Sequence, residues 1–179
     1  MGIMIPTADE AKILWEKYKL PPQKRIHVAL VARVAIYLAA KLQQLTFNRK
    51  LLEAAALLHD IDKAVPPRTG ERHPDTAVRV LREEKMDEVA DVVVTHPLHA
   101  ILDEHISPKT WEQKLLYLAD KMVKYDIVGV DQRFALWRAE HLPPDAQRIL
   151  DRSYPEVKKL EQEVFTLGSI TLDDVVKHA

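Results

Sequence analysis

The chain has 179 residues, 47% of them hydrophobic and 30% charged, a balance that suits one globular domain with a real core. Only 4 glycines and 6% aromatic residues argue against a β-barrel or β-sandwich, and a formal net charge of -1 gives no global positive field for nucleic acid. With 0 cysteines there is no disulfide, thiolate zinc site or cysteine nucleophile, which fits a reducing compartment.

The pattern Thr7-Ala8-Asp9-Glu10 is a capping box and predicts a short helix over 8–18. Pro21-Pro22 ends that segment and opens the next. Over 23–45, Ile26, Leu30, Val34, Leu38 and Leu42 recur at helical spacing. Asn48 caps a third helix over 49–63, whose LLEAAALL run is apolar almost all round and is expected at the centre of the core. A proline-containing loop follows. Helices are expected over 75–84 and 87–95, then a loop or broken helix through HPLHAILDEHISP. Ser107-Pro108 is read as the start of a helix reaching Lys124. Further helices are expected over 132–140 and 145–166, with Gly168 and Thr171 marking a last short one.

No strand pair, repeat or linker is evident. The sequence therefore predicts an all-α, single-domain helical bundle, with its core over about 5–130 and C-terminal helices over about 131–179. The N-terminus carries charge before an apolar core could form, so no secretory signal is expected. The most apolar run, 28–40, is interrupted by Arg33 and falls short of the roughly 20 residues that span a bilayer. A soluble, cytoplasmic protein without a membrane partner is the expectation.

The chemistry centres on LLHDIDK, residues 57–63. His59 and Asp60 close a helix that otherwise reads as core, where polar groups are costly unless paired or bound to a metal. Imidazole and carboxylate suit divalent cations such as Mn, Fe, Mg or Zn. His27 shares a stripe with Val31, Val34 and Leu38, and Asp120 lies in the apolar KLLYLADKM. His73 precedes Pro74 at a helix start, and His96 follows VVVT. A lone inward histidine is more often a hydrogen-bonded core or surface residue, and Asp120 could pair with Lys121 or Lys124. On the residues alone, a metal site and a set of ordinary polar residues both stay open.

The order His27, His59-Asp60, Asp120, in the contexts IHVALVARVA, AALLHDIDK and KLLYLADKM, resembles the HD-domain superfamily of metal-dependent phosphohydrolases. The resemblance covers roughly residues 5–130. His73 and His96 resemble two further histidines of one branch, which includes bacterial symmetric diadenosine tetraphosphate hydrolases; Tyr117 to Ala135 is similar to that branch too. This chain departs at Asp62, where many relatives have glycine, in its short loop before His73, and at Tyr125, near an expected asparagine-arginine pair.

The resemblance implies a metal site in the centre of the bundle. One divalent ion would be held by His27, His59, Asp60 and Asp120, and a second by Asp60, His73 and His96. Fe or Mn would be the first candidates, then Mg, Ni or Zn. A metal-activated water would attack phosphorus. Asp60 and Lys63 are the candidate catalytic residues, Lys63 also binding a phosphate oxygen or the leaving group from one turn past His59. Arg68, Arg72, Lys121, Lys124 and Arg133 could supply further phosphate contacts, each with solvated surface charge as its ordinary alternative. Asp62 reads as an exposed carboxylate or as a group orienting a ligand or a water. His99, His105, His141 and His178 are read as non-ligands.

No P-loop, dinucleotide glycine motif or G-x-S-x-G is present. The expected activity is hydrolysis of a phosphoester or phosphoanhydride in a nucleotide or related small molecule. The alternatives are a non-catalytic nucleotide- or partner-binding module and a di-iron oxygenase on the same scaffold. No nucleic-acid partner is expected, and a homodimer contact through the C-terminal helices is open.

Overall fold

A computed structural model describes residues 4–179. Among them the chain forms α1 (Ala8–Lys17), α2 (Pro22–Lys41), α3 (Arg49–Leu58), α4 (Asp75–Glu83) and α5 (Asp87–Val93). A 3-10 turn (Leu98–Leu102) then precedes α6 (Trp111–Met122), α7 (Gly129–Arg138), α8 (Pro144–Gly168) and α9 (Leu172–His178). No strand occurs among the described residues beyond one isolated bridge, Val123 with Ile127. The expected all-α single domain is the fold observed.

The helices start where local chemistry caps them. Thr7 and Glu10 form the expected box at α1, Asn48 accepts from the Leu51 amide at α3, and Thr171 with Asp174 boxes α9. α6 corrects the sequence reading. It opens at Trp111 rather than near Pro108, because Thr110 and Gln113 make a reciprocal capping box there. α7 begins earlier than expected, at Gly129.

The core is a sandwich of helices around α3. α2 packs on α3 and α6, α3 also contacts α5 and α1, and α8 lies over the 3-10 turn and α7. Ala54, Ala55, Ala56 and Leu58 of α3 have 0–1% exposure, as expected of a central helix. Small residues there let its neighbours approach closely. On α2 the buried face carries His27, Val28, Val31, Val34, Ala35 and Leu38. Ile26, counted with the core stripe in the sequence, is instead 55% exposed because that stripe is rotated toward His27.

α3 ends at Leu58, not at Lys63. The His59 Nδ1–H donates to the Ala56 carbonyl at 2.8 Å, the acceptor that the residue-60 amide would use in a continuing helix. The chain then tightens into i→i−3 bonds, Ile61 to Leu58, Lys63 to Asp60 and Val65 to Asp62. The doublet is thus turned out of the helix axis and faces the interior of the bundle.

The loop from α3 to α4 is tied by Glu71. Its carboxylate accepts from Arg79 Nε at 2.7 Å, from the Thr76 hydroxyl at 3.0 Å and from the Arg68 amide at 2.9 Å. The Arg79 bond in particular brings Glu71 from the ordinary 4.5 down to about 2. Its folded pKa lies below the unfolded one, so the unfolded chain takes up this proton first and the contribution is complete above about pH 4.5. It is lost as pH falls from there toward 2. Denaturant titrations across that window should show Glu71→Gln with a flatter acid limb than the parent; parallel limbs would contradict the assignment.

Gly129 begins α7 at φ +79°, and a Cβ there would lie 2.6 Å from Leu172 Cδ2. The left-handed backbone requires glycine, and a Cβ would also have to displace the Leu172 side chain of α9. Gly129→Ala should cost about 1–3 kcal/mol in denaturant unfolding; an unchanged midpoint would show that neither constraint holds.

Candidate metal centre

Five segments deliver the cluster. α2 brings His27, the turn after α3 brings His59 and Asp60, the loop before α4 brings His73, the end of α5 brings His96, and α6 brings Asp120. His27, His59 and Asp120 place one ligand atom each within 4.8 Å of one another, as do His59, Asp60 and His96. Asp60, Asp62 and His73 form a third such group. The six sequence-predicted metal candidates are therefore brought together.

Every histidine in the cluster is tied on its outer nitrogen. The Nδ1–H of His27 donates to the Lys124 carbonyl at 3.0 Å, that of His59 to Ala56 at 2.8 Å and that of His96 to Val93 at 2.6 Å. His73 Nδ1–H donates to Asp62 Oδ2 at 2.9 Å. Carbonyls and carboxylates only accept, so each bond fixes the tautomer and turns Nε2 inward.

The inner atoms then crowd one another. His27 Nε2 is 3.0 Å from Asp120 Oδ1, and His59 Nε2 is 3.5 Å from the same oxygen. His73 Nε2 and His96 Nε2 are 2.9 Å apart. His59 Nε2 is buried with no hydrogen-bond partner among the described residues. Lone pairs facing lone pairs and carboxylates at these separations repel unless a cation, a proton or a metal ion, lies between them. The donor set of neutral imidazoles and carboxylates, each imidazole backed by an acceptor, fits a divalent cation.

The carboxylates are held ionised. Burial would raise Asp60, but His59, Lys63 and Lys24 keep it far below the ordinary carboxylate range. Burial likewise opposes ionisation of Asp120, and Lys121, His27 and His59 overcome it. Burial disfavours charge on His59, yet Asp60 and Asp120 raise its pKa. His96 goes the other way, lowered well below its ordinary value by burial first and then by the neighbouring His59 and His73.

The cluster opens into a cavity of about 300 Å³ whose lining includes Lys24, Lys63, His99, Lys121, Arg133 and Trp137 besides members of the cluster. Lys63 Nζ is 3.2 Å from Asp60 Oδ1 with its side chain 28% exposed, placed as the sequence suggested though on a turn rather than on the helix. Arg133 lines the cavity with its guanidinium 3.9 Å over the Trp137 ring; burial lowers its pKa, and its Nε and Nη1 have no partner among the described residues.

Three expected phosphate contacts are placed differently. Arg68 is not among the residues lining the cavity; it pairs with Glu83 at 2.9 Å. The Lys124 ammonium pairs with Glu140 at 3.2 Å, and the residue serves the site through its carbonyl. Lys121 lines the base of the cavity but is 1% exposed, donating at 2.6 Å both to the His96 carbonyl and to Asp120 Oδ2. In each case a nearer acceptor already holds the cation. Asp62 is buried rather than exposed, because His73 needs its carboxylate.

Lys24, Trp137 and Asp62 were missed or undervalued. Lys24 Nζ is 3.1 Å from Asp60 Oδ2. Its spacing of i, i+3 from His27 put both on one helical face and was available as a signal. Trp137 had no sequence signal, since α7 is placed by packing alone. A larger groove of about 730 Å³ along α8 shares no residue with the cluster.

The HD domain family model matches residues 25–124, which is more than half of the chain and contains every member of the cluster. The chain belongs to the HD domain family. HD domains are typically metal-dependent phosphohydrolases. No curated protein and no solved structure matches the chain significantly.

Lys121 is the structural keystone beneath the cluster. Lys121→Met should cost about 3–5 kcal/mol, because it leaves the Asp120 carboxylate without its cation and the His96 carbonyl without its donor. Chemical denaturation measures this; a loss below 1 kcal/mol, on the order of an exposed pair, would remove that role.

Proposed function

We propose that this protein is a metal-dependent phosphohydrolase that cleaves a phosphoester or phosphoanhydride of a nucleotide or related small molecule. The observation that carries the reading is the convergence of inward Nε2 atoms and two ionised carboxylates at the floor of a cavity rimmed by Lys24, Lys63 and Arg133. Such a rim suits a phosphorylated substrate, and the cluster chemistry suits one or two divalent cations, Fe or Mn before Mg, Ni or Zn. A dinucleoside polyphosphate and a nucleoside monophosphate are both candidate substrates.

His27, His59, Asp60 and Asp120 would hold one cation, and Asp60, His73 and His96 a second. Bound there, a divalent cation lowers the pKa of water and offsets phosphate charge. Asp60, between Lys24 and Lys63, stays ionised and keeps the floor of the cavity anionic toward cations. Lys63 is partly exposed and can turn an N–H to a phosphate oxygen or to the leaving oxygen. Arg133, held flat on Trp137, presents a planar guanidinium in the same cavity. Hydrolysis forms one P–O bond to water and breaks the bond to the leaving oxygen, which takes up a proton.

No helix among the described residues is long and apolar enough to cross a membrane. The reading extends to a soluble, cytoplasmic enzyme acting on a small molecule rather than on nucleic acid.

A screen of phosphomonoesters, cyclic nucleotides and dinucleoside polyphosphates against Mn- or Fe-loaded protein tests the activity. Asp60→Ala should lose more than the ~100-fold typical of a group that only supports a ligand; undiminished metal-dependent hydrolysis in that variant would refute the proposal. Free Mn at about 100 times its Kd should stabilise the parent by about 2.7 kcal/mol and the Asp60→Ala variant far less.

A further inference from the structure

The imidazoles of the cluster are not supported alike. His27, His59 and His96 lean on backbone carbonyls of Lys124, Ala56 and Val93, which the surrounding helices hold in place. His73 instead sits on the loop before α4, its side chain 31% exposed, and its Nδ1–H reaches both oxygens of Asp62 at 2.9 and 3.1 Å. Asp62 is itself buried, with its side chain 5% exposed. Among the described residues no other acceptor takes that proton. The opposite ring face meets the cluster, with Nε2 at 2.9 Å from His96 Nε2 and 3.7 Å from Asp60 Oδ1.

We propose that Asp62 is a positioning residue that aims the His73 imidazole at Asp60 and His96, and that metal occupancy on that side of the cluster depends on it. The inference rests on the metal-dependent reading above. Its physical basis is twofold. A carboxylate acceptor makes the imidazole a stronger donor at Nε2 than a carbonyl does. It also removes rotamer freedom from a side chain that the loop alone would leave free to turn. The His27–His59–Asp120 side makes no hydrogen bond to Asp62 and is built on α2, the turn that ends α3, and α6. The two sides should therefore respond separately to loss of Asp62.

The test is Mn binding to the full chain, by calorimetry and by metal analysis after gel filtration, for the parent, Asp62→Ala and Asp62→Asn. The parent should take two ions. Asp62→Ala should weaken the second by ~10–100-fold with the first unchanged. Asp62→Asn keeps a neutral acceptor for the His73 proton and should fall between the two. If Asp62→Ala does not fold, Asp62→Asn compared with His73→Gln decides, both weakening the second ion alone. Circular dichroism and an unchanged first site separate positioning from general damage.

Binding of two ions with unaltered affinities in the variants would overturn the role of Asp62 and leave the metal-dependent reading standing. So would a parent that takes only one ion. Equal losses in Asp62→Ala and Asp62→Asn would make Asp62 a direct ligand instead of a positioning group. A parent that binds no metal would overturn the metal-dependent reading itself.

Discussion

The structure depends on how buried histidines are anchored. Each ring in the cluster gives its Nδ1–H to an acceptor behind it, and so each must present Nε2 to the centre. That one-sided commitment couples the backbone to the site. For His59 and His96 the acceptor is the carbonyl three residues back, Ala56 and Val93, at the end of its own helix. Helix C-termini leave carbonyls without intrahelical donors, and an imidazole one step beyond can satisfy one of them. The same bond that stops α3 therefore sets the angle of its metal-binding candidate.

Burying so many polar atoms would be costly if their charges were not balanced locally. Two carboxylates, Asp60 and Asp120, lie among three cations that touch them, Lys24, Lys63 and Lys121. The arrangement is graded by depth. Lys121 is buried at the base of the cavity, its ammonium held by the His96 carbonyl and Asp120. Lys24 and Lys63 stand at the cavity wall, with side chains 41% and 28% exposed, and remain within reach of a ligand. Arg133 lies over the Trp137 ring, and its Nε and Nη1 have no hydrogen-bond partner among the described residues.

Much of this was legible in the chain. The capping box at Thr7, the Asn48 cap, the apolar α3 run and the Gly168 and Thr171 punctuation place helices by short-range rules, and those helices are observed. The order of His27, the doublet and Asp120, each in an apolar setting, left a metal site open on the residues alone, and its resemblance to the HD-domain pattern is what implied the cluster. Less legible was the fate of individual cations. Arg68, Lys121 and Lys124 look alike in sequence, as lysines and arginines near ligand-type residues. They differ only in the nearest acceptor, Glu83, Asp120 and Glu140 respectively. Asp62 showed the converse, an apparent surface carboxylate drawn inside by a histidine 11 residues later.

The sequence by itself determined the all-helical class, most helix starts and which side chains would have to be reconciled with a core, because propensity, capping and periodicity act over a few residues. Only the tertiary structure decided which cations face the cavity, which tautomer each histidine adopts and where α3 stops. Those outcomes depend on acceptors supplied from elsewhere in the chain, such as the Lys124 carbonyl for His27, 97 residues away. Contacts of that range follow from how helices pack, and no local pattern encodes them.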